Sequence, residues 1–207
     1  MDTRIVFENH SHAGEPAAVI LFQIDRQSPH RLPLVWRLIQ HCGYECTHPF
    51  IFSSVLELMA FDSWGNCVVH EQLTTPSQVD LYSGRIGGTT ASVEPAARTV
   101  VTNRKKEGTV HVFLARDGRA VTPWHTLAPD ESTTFALDST LAIVPWQGLR
   151  IGEEVPPAVI DLARLPGYTF NLLGIASAQL LMLGGGWGAT ATRFRFHLHN
   201  VRTSPWH

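Results

Sequence analysis

Phe7-Glu8-Asn9-His10-Ser11-His12-Ala13-Gly14 runs into the apolar stretch Ala17-Ala18-Val19-Ile20-Leu21-Phe22-Gln23. Later in the chain, Val101-Thr102-Asn103-Arg104-Lys105-Lys106-Glu107-Gly108 runs into Val110-His111-Val112-Phe113-Leu114-Ala115. In both stretches Asn and Gly flank polar or small residues between two apolar runs. Each stretch is followed by a Trp (Trp36, Trp124) and then by a Phe-x-x-x-Ser-x-Leu string, Phe50/Ser54/Leu56 and Phe135/Ser139/Leu141. An echo of this kind predicts two related β-hairpin modules, one over about 1–83 and one over about 99–207. Residues 84–98, rich in Gly, Ser, Thr and Ala, read as the connection between them.

The rest of the chain reads as strands. Thr3–Glu8, Ala17–Gln23, Val55–Phe61, Cys67–Glu71, Gln78–Tyr82, Thr99–Thr102, Thr109–Arg116, Leu141–Pro145 and Thr192–Val201 are short and rich in β-branched or aromatic residues. Each is bounded by Gly, Pro, Asn, Asp or Ser, and Asp117-Gly118 marks a tight hairpin turn. Two segments stay open between helix and strand. Leu32–His41 places Leu34, Val35, Leu38 and Ile39 at helical spacing, and Leu172–Leu183 is apolar almost throughout. Glu153-Glu154 reads as the start of a solvated, Pro-rich turn. The expectation is an all-β chain forming a single antiparallel β-sandwich, or a barrel, over residues 1–207.

Composition narrows the function classes. The chain is 44% hydrophobic and 16% charged, enough apolar material for a substantial core and against disorder. Net charge is −2 and only two basic residues are Lys, so no basic stripe points to nucleic acid. No apolar run reaches the roughly 20 residues that span a bilayer, and no signal segment is visible at the N-terminus. Cys42, Cys46 and Cys67 are odd in number and make no disulfide framework. A reducing, cytoplasmic setting is the expectation.

Two features carry chemistry. The first is a pair of His-x-His motifs, His10/His12 just past the first strand and His197/His199 in the last. Alternation on a strand puts Phe194, Phe196 and Leu198 on one face and Arg193, Arg195, His197 and His199 on the other. Arg4, Glu8, His10 and His12 share a phase in the same way. If the first and last strands pair, four imidazoles and a carboxylate gather on one face, a ligand set for a divalent transition metal and for metal-dependent catalysis. The Arg residues in that phase repel a cation and favour an anion held by guanidinium forks.

The second feature is the tryptophans. Trp64, Trp124, Trp146, Trp187 and Trp206 lie beside Gly or Pro, where loops are expected. An exposed indole offers a flat apolar face to a sugar ring or planar molecule. Trp36 and Trp124, recurring in the echo, are expected to fold into the core, and Trp64 and Trp187 to be exposed. Gly184-Gly185-Gly186-Trp187-Gly188 lacks phosphate-loop spacing and reads as a flexible hairpin loop. No Gly-x-Ser-x-Gly nucleophile motif occurs. The leading expectation is therefore a non-catalytic protein that binds a carbohydrate or small planar ligand through Trp64, Asn66, Trp146, Trp187 and Arg195. Two alternatives stand beside it: a metal-dependent enzyme using His10, His12, His197 and His199, and a structural protein that assembles into a homo-oligomer through sheet edges.

Overall fold

A computed structural model of the chain describes residues 2–12, 17–73, 77–82, 85–91 and 98–204. Gly14, Trp206 and, within the connection expected over 84–98, residues 84 and 92–97 lie outside the described residues; the described part of that connection holds a strand over Arg85–Ala91. The strands are β1 (Thr3–Asn9), β2 (Ala17–Phe22), β3 (Arg37–Cys42), β4 (Thr47–Phe52), β5 (Leu56–Asp62), β6 (Cys67–Leu73), β7 (Ser77–Tyr82), β8 (Arg85–Ala91) and β9 (Thr99–Asn103). They continue as β10 (Val110–Arg116), β11 (Arg119–Ala120), β12 (His125–Leu127), β13 (Ser132–Phe135), β14 (Thr140–Pro145), β15 (Thr169–Asn171), β16 (Ile175–Gly185) and β17 (Thr192–Thr203). One α-helix, α1 (Pro157–Ala163), stands among them. The all-β expectation holds. Both open segments resolve as strands: β3 takes up the end of Leu32–His41, and β16 takes up most of Leu172–Leu183.

The chain divides into two compact units. Unit 1 holds Met1–Phe22, Val35–Ser54 and Ser139–His207; unit 2 holds Gln23–Leu34 and Val55–Asp138. Each unit therefore draws strands from both sides of the connection expected at 84–98. In unit 1 the strand orders are β17-β16-β1-β4 and β15-β14-β2-β3. In unit 2 they are β8-β7-β9-β13 and β6-β5-β10-β11, with β12 also on β10. The pairing schemes coincide. Each unit has one sheet whose central pair is parallel, β1 with β16 and β7 with β9, and whose outer pairs are antiparallel. The second sheet of each is wholly antiparallel.

The alternation read from the sequence explains the burial. In β1, Thr3, Ile5, Phe7 and Asn9 are buried while Arg4 is exposed and Val6 and Glu8 are half-buried. β2 and β14 are continuous apolar runs, and Val19–Phe22 and Leu141–Val144 are all buried. Such runs belong to strands covered on both faces. Val159, Ile160 and Ala163 of α1 are buried, on a helix packed against β14. Glu153 and Glu154 are exposed, as expected, and the helix begins three residues beyond them. Pro157 opens it, a position where a missing N–H costs nothing, and its apolar residues fall three and four apart on one side. Aromatic contacts join elements within unit 1: Trp36, fully buried, meets Phe50 and Phe52 edge-on, and Tyr168 meets Phe196. Each fully buried side chain of this size contributes about 1.5–3 kcal/mol.

Asn9 and Asn103, the shared residues of the opening echo, do the same work in their respective units. Both are buried. The Asn9 amide donates to the carbonyls of Cys42 and Gly43, and its oxygen accepts from the Ser11 N–H and hydroxyl. The Asn103 amide donates to the carbonyls of Gly108 and Leu127, and its oxygen accepts from the Lys105 N–H. In each case a side-chain amide satisfies backbone groups at the point where the chain leaves one strand and turns. Asp117 and Gly118 form the expected two-residue hairpin between β10 and β11, with φ of 53° and 69°.

Asn9→Ala and Asn103→Ala each take a donor from one buried carbonyl, that of Cys42 or of Leu127, and from a second, less buried one, and each is expected to cost about 2–3 kcal/mol. Asn66→Ala, on an exposed turn, is expected to cost under about 1 kcal/mol. Urea denaturation of the three variants checks the ranking, and equal losses at all three would refute it.

Candidate functional site

The site is built on β17, the edge strand of the sheet β17-β16-β1-β4. Its faces alternate as the sequence indicates: Phe196 is buried and Phe194 and Leu198 are half-buried, while Arg193, Arg195, His197 and His199 are exposed. The strand is fixed at its start by a close backbone approach. Gly184 has φ of +98°, and a Cβ there would lie 2.3 Å from the Arg193 carbonyl oxygen. Only glycine lets β16 and β17 meet at that point.

The segment before β15 closes against this edge. The Tyr168 hydroxyl donates to the Phe194 carbonyl at 2.6 Å, and the Phe196 N–H donates to the Gly167 carbonyl at 3.3 Å. The Arg193 guanidinium lies 5.1 Å from the Tyr168 ring centroid, and its Nε donates to the Tyr168 oxygen at 3.3 Å. An open groove of about 420 Å³ results. Pro166 and the half-buried Phe194 give it apolar lining, with Tyr168 and Phe196 buried behind them, and Arg193, Arg195 and His197 give it cationic and hydrogen-bonding groups. Gly167 completes the lining, and no carboxylate among the described residues belongs to it.

The first strand and β17 do not pair, correcting the premise of the His-x-His cluster. β16 lies between them, so His197 stands opposite Leu181, which in turn stands opposite Glu8. Two strand spacings put the backbones of β17 and β1 roughly 10 Å apart. His10 instead meets Glu8 at 3.2 Å. His12 bridges Gly185 and stacks on Tyr44 at 5.6 Å. No three His, Cys, Asp or Glu side chains among the described residues converge on a metal-sized site. The physical reason is that β16 returns parallel to β1 before the hairpin to β17, an arrangement that strand alternation does not encode.

The tryptophans separate by unit. Trp187, in the connection leading into β17, is 74% exposed, and Trp146 of the same unit is half-buried. Trp64 and Asn66 belong to unit 2, where Trp64 is 88% exposed. Asn66 is already committed: its N–H and amide both donate to Asp62, which also accepts from the Trp64 N–H, and these bonds hold the Asp62 carboxyl below its usual range. Trp124, expected in the core, is 50% exposed and packs on Phe61 and Phe113 at ring distances of 5.1 and 4.6 Å. Of the residues read as ligand-binding, unit 1 thus holds Trp146, Trp187 and Arg195. Tyr168 carried no sequence signal, because nothing before the fold links it to β17.

No family model, curated protein or solved structure matches this chain. No helix among the described residues is long and apolar enough to cross a membrane.

Elsewhere, the three cysteines are free thiols. Burial and the neighbouring Cys46 push the Cys42 thiol up to about 11, which leaves it protonated and inert at neutral pH. In unit 2, His125 is 4% exposed, shares a 2.7 Å hydrogen bond with Thr133 and packs edge-on against Phe135. Burial pushes its pKa down to about 4; Arg31 and His30 lower it further, and Asp25 opposes them. The native state therefore prefers neutral His125. Its contribution to stability is complete above the ordinary value near 6.5 and is lost as pH falls from there through about 4. The loss by pH 4 is of order 2–3 kcal/mol. His125→Gln removes the titration and keeps a hydrogen-bonding side chain beside Thr133. Denaturant titrations at pH 7 and pH 4 are expected to show a smaller acid loss in this variant than in the parent, whereas parallel losses would place the acid sensitivity elsewhere.

Proposed function

We propose that this protein is a non-catalytic binding protein for a small ligand with a planar or sugar-like face, seated on unit 1 in the groove along β17 and at the exposed Trp187 of the hairpin that leads into it. The observation that carries this reading is an indole 74% exposed on a hairpin whose second strand lines a groove of about 420 Å³. That volume falls in the range of small-molecule sites, and the mix of apolar lining with a few polar groups is their usual chemistry. An indole held out on a glycine-rich connection offers a binding face at little entropic cost, since it has only two side-chain torsions to fix.

Chemistry at the same place is less well supported. Among the described residues, the exposed imidazoles do not gather around a common centre, and the groove lining offers no acid to work beside His197. Assembly through the edge of β17 is also disfavoured. Antiparallel pairing with a second copy would bring Arg193, Arg195 and Arg202 of each chain toward the other, and like charges guard an edge against self-pairing.

Titrating the protein with a panel of neutral monosaccharides and small aromatic molecules, followed by tryptophan fluorescence, checks the proposal. At least one member is expected to give a saturable change that Trp187→Ala abolishes and Trp64→Ala leaves in place. A panel with no saturable response, or a response that Trp187→Ala leaves untouched, would remove this reading.

A further inference from the structure

We infer that the groove along β17 selects a carboxylate-bearing planar molecule, with Arg195 as the group that recognises the anion. The inference rests on the binding reading above and names the ligand class for the same site. Three observations carry it.

The first is charge. The groove lining holds two guanidiniums and an imidazole. No acid among the described residues lines the groove beside them.

The second is the division of labour between the two arginines. Arg193 is occupied, with its Nε on the Tyr168 oxygen and its guanidinium over the Tyr168 ring. Arg195 lies two residues on, with the same side-chain phase. No described residue pairs with it, and the same is true of His197. Arg193 thus positions Tyr168, and Arg195 presents its donors to whatever enters. A guanidinium presents parallel N–H groups that match both oxygens of a carboxylate.

The third is shape and polarity. Exposed Pro166 and half-buried Phe194 line the groove beside these cations, with Tyr168 and Phe196 buried behind them. A bare inorganic anion would leave that apolar lining unused. A flat ring carrying a carboxylate uses both, with the ring against Pro166 and Phe194 and the carboxylate on Arg195. Because Arg195 is exposed, salt is expected to weaken the preference.

Calorimetric titration of the full chain at low salt with 4-hydroxybenzoate and its neutral isostere 4-hydroxybenzamide tests the inference, with inorganic phosphate and D-glucose as further probes. The acid is expected to bind at least about tenfold more tightly than the amide. In Arg195→Gln that preference is expected to fall to near unity. Arg195 is exposed, so the variant is expected to unfold at the parent's denaturant midpoint. Equal binding of acid and amide, or binding of glucose alone, would leave the binding reading in place and overturn the anion inference. Phosphate binding as tightly as 4-hydroxybenzoate would overturn it in favour of a simple oxyanion site. No binding by any probe would remove both.

Discussion

The parallel pairing of β1 with β16 is the constraint on which the rest of unit 1 depends. Six consecutive register positions, from Arg4 opposite Ser177 to Asn9 opposite Met182, join them. Parallel neighbours cannot be linked by a tight turn; they need a long crossover. Here most of the chain serves as that crossover, and the whole of Val55–Asp138 in unit 2 lies within it. Once β16 occupies the position beside β1, β17 is forced outward to become the edge. Everything said of the groove, the separated histidines and the unpaired Arg195 follows from that displacement.

The same constraint explains why Asn9 is buried rather than displayed. β1 ends at Asn9, and the chain must then reach β2 in the other sheet of the unit. A side chain that can both donate and accept meets the backbone groups left over at such a departure. Asn103 stands at the matching exit from β9 toward β10, in a unit whose strands pair in the same order. The two short polar stretches differ in every residue between their Asn and Gly, yet the amide geometry is common to both. What the positions share is a backbone need.

Much of the secondary structure was legible because alternation and apolar runs are local properties. The faces of β17 could be assigned residue by residue, since Phe196 and Arg195 differ in hydropathy and a strand has a period of two. Partner choice was not legible. Nothing in His10, His12, His197 or His199 records that Leu181 will stand between their strands, because register with a distant neighbour is a tertiary outcome. The groove was half legible. Arg195 and Trp187 drew attention as an exposed cation and a glycine-flanked indole. Tyr168 and Gly167 joined them only through hydrogen bonds to Phe194 and Phe196 that the linear order does not suggest. α1 was not legible, because seven residues with a proline at the start resemble a turn until Val159, Ile160 and Ala163 find a surface to cover.

The interleaved route of the chain also orders events in time. Thr3 donates its hydroxyl to Ile175, a partner 172 residues away. During synthesis β1 and β2 leave the ribosome long before β14 and β16 exist. Their apolar residues, Val19 to Phe22 among them, must wait without their native cover. Unit 2 has its strands within a single stretch of chain, Val55–Asp138, and can close first. Unit 1 closes later, from pieces of chain that lie far apart in sequence. Proteins dominated by such distant pairings fold slowly, and the interval before closure is when exposed strands are most prone to aggregate. For this chain, the hazard in folding is thus concentrated in the unit that carries the groove.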